Sequence, residues 1–489
     1  MISRHGLLYG LDVTCFEASS YVGGLWRYRE EETESKDPTT RQLDVTTNFI
    51  ADSCVMKSTV INTSKEMTAY SDFPPEPNMA NFMHNTEMYR YLVNYADHYD
   101  LKKYIKFQHK VLNIERAEGY AKTGQWKVTY DDQNGGRECE LFDGVLLCCG
   151  HHALPRMPTP WPGQNLFKGD ILHSHSYRSH KGYEDKVVVV VTPQIRSVVQ
   201  VYLATRRGTW VCNRIFDYGQ PFDLALNRFV ITLYGEYVDA HPTVNDELPN
   251  RMACGTVLVR PNILEFTEHG VIFENGSRVE NVDTVIFATG YQFHFPMVEC
   301  GQLIPVKENE VDLYEYMYPT ETADHNSLAV VGLIQPVGSI MPISEMQARV
   351  FYENLFGTHK IPSAKEMRKS IKEKKEAMSA RYVKSPRHTI QVDYINYMDE
   401  LASLVGCKPN VLEMLKSDPM LAIKIYFGPC VPYVYRLQGP HSWTGARQAI
   451  MSVDERVFKA TNSSQYTGNT FHGYWIVSIV VVILLILIF

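Results

Sequence analysis

An α/β fold is what this sequence predicts, and three observations predict it. Short apolar runs alternate with segments of helical periodicity along the chain. Residues 186–199, KVVVVVTPQIRSVV, begin with a valine strand that reads as buried on both faces, the form taken by strands of a covered parallel sheet. After Pro155 the chain is dense in proline and glycine (RMPTPWPGQ), and a second α/β segment begins beyond it.

The elements follow in order. Residues 11–16 (LDVTCF) form a short strand ending at Glu17, followed by Val22-Gly23-Gly24-Leu25-Trp26. Residues 30–52 are polar and weakly patterned, a loop or insertion. Residues 86–100 place Met88, Tyr91, Leu92 and Tyr95 on one helical face. Strands follow at 125–130 and 144–149, the second ending in the turn Cys149-Gly150-His151-His152. Beyond the boundary come strands at 187–191 and 198–204, a hairpin around Asn275-Gly276, and a strand at 284–288 closing on Thr289-Gly290-Tyr291. Ser363 and Glu366 make a capping box for a charged helix over 363–378 whose lysines form a solvated face.

Composition narrows the function. A chain of 489 residues that is 45% hydrophobic and 21% charged can bury a large core. A formal net charge of -7 and a pI near 6.2 leave no basic field for nucleic acid. The ten cysteines show no CxxC pair and read as reduced, mostly buried thiols. The N-terminus shows no apolar core of a signal peptide. At the other end Tyr474 to Phe489, YWIVSIVVVILLILIF, follows a polar linker at 453–473. As a helix it reaches about 24 Å against a hydrocarbon core of roughly 30 Å, so a membrane anchor and a terminal core element both remain open. With an anchor there, Asn462-Ser463-Ser464 faces the cytosol and is a glycosylation sequon by chance.

Several residues carry chemistry. A carboxylate at a strand tip, as at Glu17, suits a ribose hydroxyl pair, although a strand-end Glu is also an ordinary surface residue. The adjacent Gly23-Gly24 pair favours the ligand reading, because glycines let backbone approach a ligand closely. His173 and His175 lie in FKGDILHSHSY, an FxGxxxHxxxY pattern with no neighbouring Cys or carboxylate to complete a metal site, so no metal is expected.

That pattern, with CFEASSYVGGLWRY, NTSKEMTAYSDFP, CCGHH, ATRRGTW, NDELPNR, FATGYQFHFP, GLIQPVGSIMPISEMQAR and GPCVPYVYRLQGP in the same order, resembles the flavin-containing monooxygenases of the microsomal, dimethylaniline N-oxide-forming type. The resemblance runs from about Leu8 to Ile450. It implies two Rossmann-type domains, one for FAD (residues 1–155, resumed at 284–452) and one for NADPH (156–283), and a hydrophobic tail helix at 474–489. It further implies a C4a-hydroperoxyflavin that oxygenates soft amines and sulfides with O2, in an enzyme on the endoplasmic reticulum membrane whose catalytic part faces the cytosol. Cofactor contacts fall to Glu17, Gly23, Gly24, Leu25, Trp26, Asn62, Thr63, Arg206, Arg207 and Gln335, with Asn62 at the reacting centre. An amide suits that centre because it donates and accepts without titrating. Arg206 and Arg207 suit the 2′-phosphate of NADPH, although a surface Arg pair is common.

Three departures accompany the match. The family begins with a strand and a GxGxxG turn, whereas here Met1 falls inside the helix that follows them. The second glycine turn should follow Val191, yet no glycine occurs between Gly182 and Gly208. A further segment is missing between Val230 and His241, while residues 36–53 are additional. Such losses read as skipped exons or an imperfect gene model, and both Rossmann domains then lack their glycine-rich loops. Three readings remain: a flavin monooxygenase, a non-catalytic isoform that pairs with an intact homologue, and another two-dinucleotide flavoprotein. The third splits into a Baeyer-Villiger monooxygenase, disfavoured by the spacing of His173 and Tyr177, and a disulfide reductase, disfavoured by the absent CxxC.

Overall fold

Five strands that alternate their side chains between two cores build the main sheet. In the computed structural model, which describes residues 1–29, 55–191, 200–205, 208, 210–216, 219–234, 242–358, 360–382 and 388–462, these strands are all parallel. Their order is Val257–Arg260, Gln200–Ala204, Val187–Val191, Thr284–Phe287 and Asp170–His173. β-Branched valines suit a pleated surface packed on both sides. Val189 and Val191 join a core with Ile263, Phe266, Phe273 and Phe287, whereas Val188 and Val190 join Val201, Leu203, Leu248 and Ile286 on the opposite face.

An antiparallel meander, Ile263–Phe266, Gly270–Phe273 and Arg278–Glu280, contributes to the first of those cores. Its second hairpin turns at Asn275-Gly276, as the sequence predicts, with Gly276 at φ +77°. A second meander runs through Lys110–Arg116, Trp126–Asp131 and Arg137–Phe142. Trp126, Val128 and Tyr130 point inward from its middle strand and the residues between them are only partly buried, the period of 2 that a half-buried strand requires.

Two short parallel pairs complete the scaffold near the N-terminus: Cys15–Glu17 with Ile105–Phe107, and Val145–Leu147 with Leu328–Val330. The expected strand at 11–16 is thus confined to Cys15–Glu17, because its partner offers only three residues to pair with. The helix predicted at 86–100 is Asn85–His98, with Met88, Tyr91 and Tyr95 in the core and Leu92 at its edge. The capping box holds in full on Ala364–Arg381, which runs past the expected end at Met378.

Elsewhere the expectations need correction. The described cysteines are free, but only Cys407 and Cys430 are buried, whereas Cys139, Cys148, Cys149, Cys254 and Cys300 are exposed. Cys139 lies on the outward side of a meander strand and Cys148 and Cys149 follow a strand end, positions that sheet packing does not cover. The additional segment 36–53, residues 192–199, residues 235–241 and the tail 474–489 lie outside the described residues. Among the described residues no helix is long and apolar enough to cross a membrane.

A buried ionic network ties the first helix to the C-terminal part. Glu345, 2% exposed on the long helix Ile340–Leu355, accepts from Ser71 N–H at 2.7 Å, from Arg436 Nη2 at 3.0 Å and from His5 Nε2 at 3.0 Å. Arg436 also reaches Asp72 at 3.2 Å, and Arg4 pairs with the same carboxylate. Burial alone would raise the Glu345 carboxyl, but the His5 hydrogen bond and the Arg436 charge hold it well below the usual range. Burial pushes His5 down to about 3, which keeps its ring neutral.

Removing one member of such a network leaves the others buried and uncompensated. Glu345→Leu is expected to lower unfolding stability by roughly 3–5 kcal/mol. Lys365→Ala, on the exposed capped helix, should change it by less than about 0.5 kcal/mol. Urea midpoints of the full chain check both.

Candidate active site

Loops at the carboxyl ends of parallel strands form the candidate site, where ligands bind open α/β sheets. Glu17 ends the first strand. Its Oε1 accepts the Ser19 backbone N–H at 2.8 Å, and the side chain stays half-buried. Gly23 and Gly24 follow at φ +100° and +50° and lead into the short turn Gly24–Trp26. A Cβ on Gly23 would lie 2.8 Å from the Tyr89 ring, so this turn admits only glycine at that position. Leu25 is exposed and Trp26 half-buried, packing on the core around Tyr91 and Tyr95.

Beyond Leu147 come Cys148, Cys149, His151 and His152. Cys148, Cys149 and His152 are accessible to solvent, yet burial raises both thiols and lowers both imidazoles, His151 to about 3. Side chains that solvent reaches while protein surrounds them lie in a recess of the surface. Val331 N–H donates to Leu147 O at 2.9 Å, which brings the chain leading to Gln335 to the same strand edge. Gln335 is half-buried and its N–H donates to Ile390 O at 2.7 Å.

The motif FxGxxxHxxxY forms a joint. Its Gly169 has no room for a Cβ beside the Phe167 ring and Asp283 O. His173 Nδ1 accepts the His175 N–H at 3.0 Å, and both rings stand edge-on to Tyr291, at 5.5 and 5.8 Å. Burial and the neighbouring His175 lower His173 to about 4. Among the described residues no group of His, Cys, Asp or Glu is arranged to hold a metal ion.

Asn62 is exposed on the loop Val60–Ser64, and its Oδ1 accepts from Arg214 Nη2 at 2.8 Å. Thr63 is half-buried, with its hydroxyl 2.7 Å from that of Thr68. Arg206 and Arg207 lie outside the described residues. Sequence reasoning did not single out Arg214 and Asp223, although charged residues inside the apolar stretches VCNRIF and QPFDLAL are a signal that something pairs with them, and it met Asp246 only as part of the motif NDELPNR.

An α/β protein with a five-stranded parallel sheet and candidate site residues at strand carboxyl ends is the class that the fold defines. The model of the FMO-like family, flavin-binding monooxygenase-like, matches residues 3–238 and 227–489. Human flavin-containing monooxygenase 5 is 39% identical over 92% of this chain and 89% of its own length, and human flavin-containing monooxygenase 2 is 37% identical over 92% and 88%. Among solved structures, S-allyl-L-cysteine S-oxygenase from Allium sativum superposes with a TM-score of 0.66 at 22% identity, covering 92% of this chain and 95% of that one. An open crystal structure of cyclohexanone monooxygenase gives 0.55 at 13%, covering 83% and 94%. The chain belongs to the flavin-containing monooxygenase family, and it is by family an FAD- and NADPH-dependent monooxygenase.

The lowered histidines set a pH dependence. The folded protein keeps His151 and His173 neutral down to about 3 and about 4, whereas the unfolded chain protonates these rings near 6.5. The unfolded state therefore binds more protons below that pH, and stability falls as pH drops from about 6.5 towards 4. The decline in Tm between pH 7.5 and 5 should be smaller in His173→Gln than in the parent.

Proposed function

We propose that this chain oxygenates soft nitrogen and sulfur nucleophiles, amines and sulfides, with NADPH and O2. The observation that carries the reading is the placement of Glu17 and of Cys148–His152 at or just beyond the carboxyl ends of two short parallel strands, with the turn Gly23–Trp26 following the first, the chain leading to Gln335 bonded to the end of the second, and Asn62 on the loop Val60–Ser64. The residue chemistry suits a flavin dinucleotide: Glu17 offers a strand-end carboxylate to ribose hydroxyls, and a glycine pair with positive φ follows it. A reduced flavin held there supplies the electrons that activate O2. Thr63, Leu25 and Trp26 would flank it, and Arg206 and Arg207 would receive the 2′-phosphate of NADPH.

An oxidant in a recess lined by thiols raises the question of self-oxidation. The thiolate, not the thiol, is the reactive form. Burial raises Cys15, Cys148 and Cys149, with Cys15 and Cys149 adding to the rise at Cys148. All three therefore stay protonated at neutral pH and compete poorly with a substrate sulfide.

The pyrophosphate of NADPH fits less well. Its cradle in an α/β unit is a glycine-rich turn running into a helix N-terminus. Here residues 192–199 separate Val187–Val191 from its parallel neighbour Gln200–Ala204. They are fewer than the dozen or more that a helical crossover takes, and none is glycine. This favours a second reading, a catalytically defective isoform that acts as a binding partner of an intact homologue. The proposed organisation is an FAD unit at 1–155 and 284–452, an incomplete NADPH unit at 156–283, and an anchor at 474–489; of the linker expected at 453–473, the first part instead forms the helix Val453–Lys459, whose Val453 and Val457 are buried in the core. The apolar run Tyr474–Phe489 supports a place on the endoplasmic reticulum membrane with the remainder in the cytosol.

The visible absorption spectrum of the purified chain separates the two readings. A bound-flavin spectrum followed by sulfide-dependent NADPH oxidation supports the first, and a colourless folded protein supports the second. In an active preparation Asn62→Ala should lower sulfoxide formation by about 10²–10³-fold. Alkylation by iodoacetamide at neutral pH, followed by mass spectrometry, should label Cys139 well before Cys148 and Cys149.

A further inference from the structure

The loop that carries Asn62 is gripped by a single excursion of the chain, residues 214–223. Phe222 N–H donates to Arg214 O at 2.9 Å and Ile215 bridges to Pro221, which closes the base of the excursion and leaves one gripping residue on each side of it.

Arg214 is 5% exposed. Its Nε donates to Ile61 O at 3.0 Å, and its Nη2 to Val60 O at 3.3 Å and to Asn62 Oδ1 at 2.8 Å. Asp246 fixes the guanidinium in turn, accepting Nη1 at 2.7 Å on one oxygen and the Arg214 backbone N–H at 2.7 Å on the other. Strand register explains the meeting. Val211–Cys212 pairs in parallel with Thr243–Val244, Cys212 opposite Val244, so the residues two further along each strand, Arg214 and Asp246, fall side by side. On the other arm buried Asp223 accepts the Ser64 backbone N–H at 2.6 Å.

We propose that Arg214 and Asp223 are positioning residues of the monooxygenase reaction, which hold the loop Val60–Ser64 and fix which end of the Asn62 amide faces the bound ligands. A guanidinium only donates, so it selects the Asn62 oxygen and leaves the NH2 end for the ligands. Asn62 then acts as a hydrogen-bond donor at the reacting centre. An amide free to flip would present oxygen part of the time and stabilise developing negative charge less well. The proposal rests on the reading of Asn62 as the residue at that centre, and it adds the residues that orient it.

Two measurements on the full chain test it. In hydrogen exchange, Arg214→Ala and Asp223→Ala should each accelerate the Ser64 region by about tenfold relative to the parent. Asp223→Asn, which keeps an accepting oxygen, should stay near the parent. Unchanged exchange in both alanine variants overturns the clamp, and this readout needs no bound flavin. In a preparation that copurifies with flavin, the second measurement is the fraction of NADPH electrons recovered as sulfoxide rather than hydrogen peroxide. Arg214→Ala should lower it as Asn62→Ala does, the double variant should be no worse than either single one, and added guanidinium should restore Arg214→Ala alone. Independent, multiplicative losses, or a loss of flavin matching a loss of Tm, reduce Arg214 to a structural residue and overturn the positioning role. A parent that shows protected Ser64 exchange but binds no flavin defeats the functional reading while leaving the clamp standing.

Discussion

Backbone that leaves regular structure and enters the interior still has to hydrogen-bond, and here buried charges meet that demand. The carbonyls of Val60 and Ile61 are taken by Arg214, those of Pro77 and Met79 by Lys65 Nζ at 2.7 Å each, and the Ser64 and Ser71 amides by Asp223 and Glu345. An orphaned buried backbone group costs about as much as a lost hydrogen bond, so loops of this kind persist only where a charge is aimed at them. Burial lowers Lys65 to about 8, and it raises Asp223 to about 6 although the Ser64 amide and hydroxyl pull the other way. These directions show how far each group has left water behind.

The same arrangement separates rigid from adaptable parts of the site. The parallel sheet of valines packs on both faces and is the most regular part of the structure. The walls are loops, held one hydrogen bond at a time. Two short parallel pairs, Cys15–Glu17 with Ile105–Phe107 and Val145–Leu147 with Leu328–Val330, stand as separate two-stranded units, and unpaired strand edges are natural points for a further strand to add. The site's polar residues therefore rest on less regular pairing than the valine sheet does.

Chemically the recess favours protection over acid–base work. Burial raises the thiols of Cys148 and Cys149 and lowers the imidazoles of His151 and His152, which favours their neutral forms. Such a lining excludes competing nucleophiles and stray protons, which suits a site where the cofactor performs the difficult step. The connection after Val191 runs against this economy, since residues 192–199 include no glycine.

Sequence alone determined the elements whose pattern is local. The valine strand, the helix over Met88 and Tyr95, the Asn275-Gly276 hairpin and the Ser363–Glu366 cap follow from period, turn chemistry and capping within a few residues of each other. The motif series likewise determined the family, because each motif is a short contiguous run. Tertiary structure decided which charges meet. Asn62 and Arg214 are separated by 152 residues, and their contact depends on the register of Val211–Cys212 against Thr243–Val244. It also decided that Cys148 and Cys149 face a recess, and that the strand at Glu17 is only as long as its partner. Burial and pairing between distant segments are properties of packing, and one chain read residue by residue carries no record of which distant segment fills the space beside it.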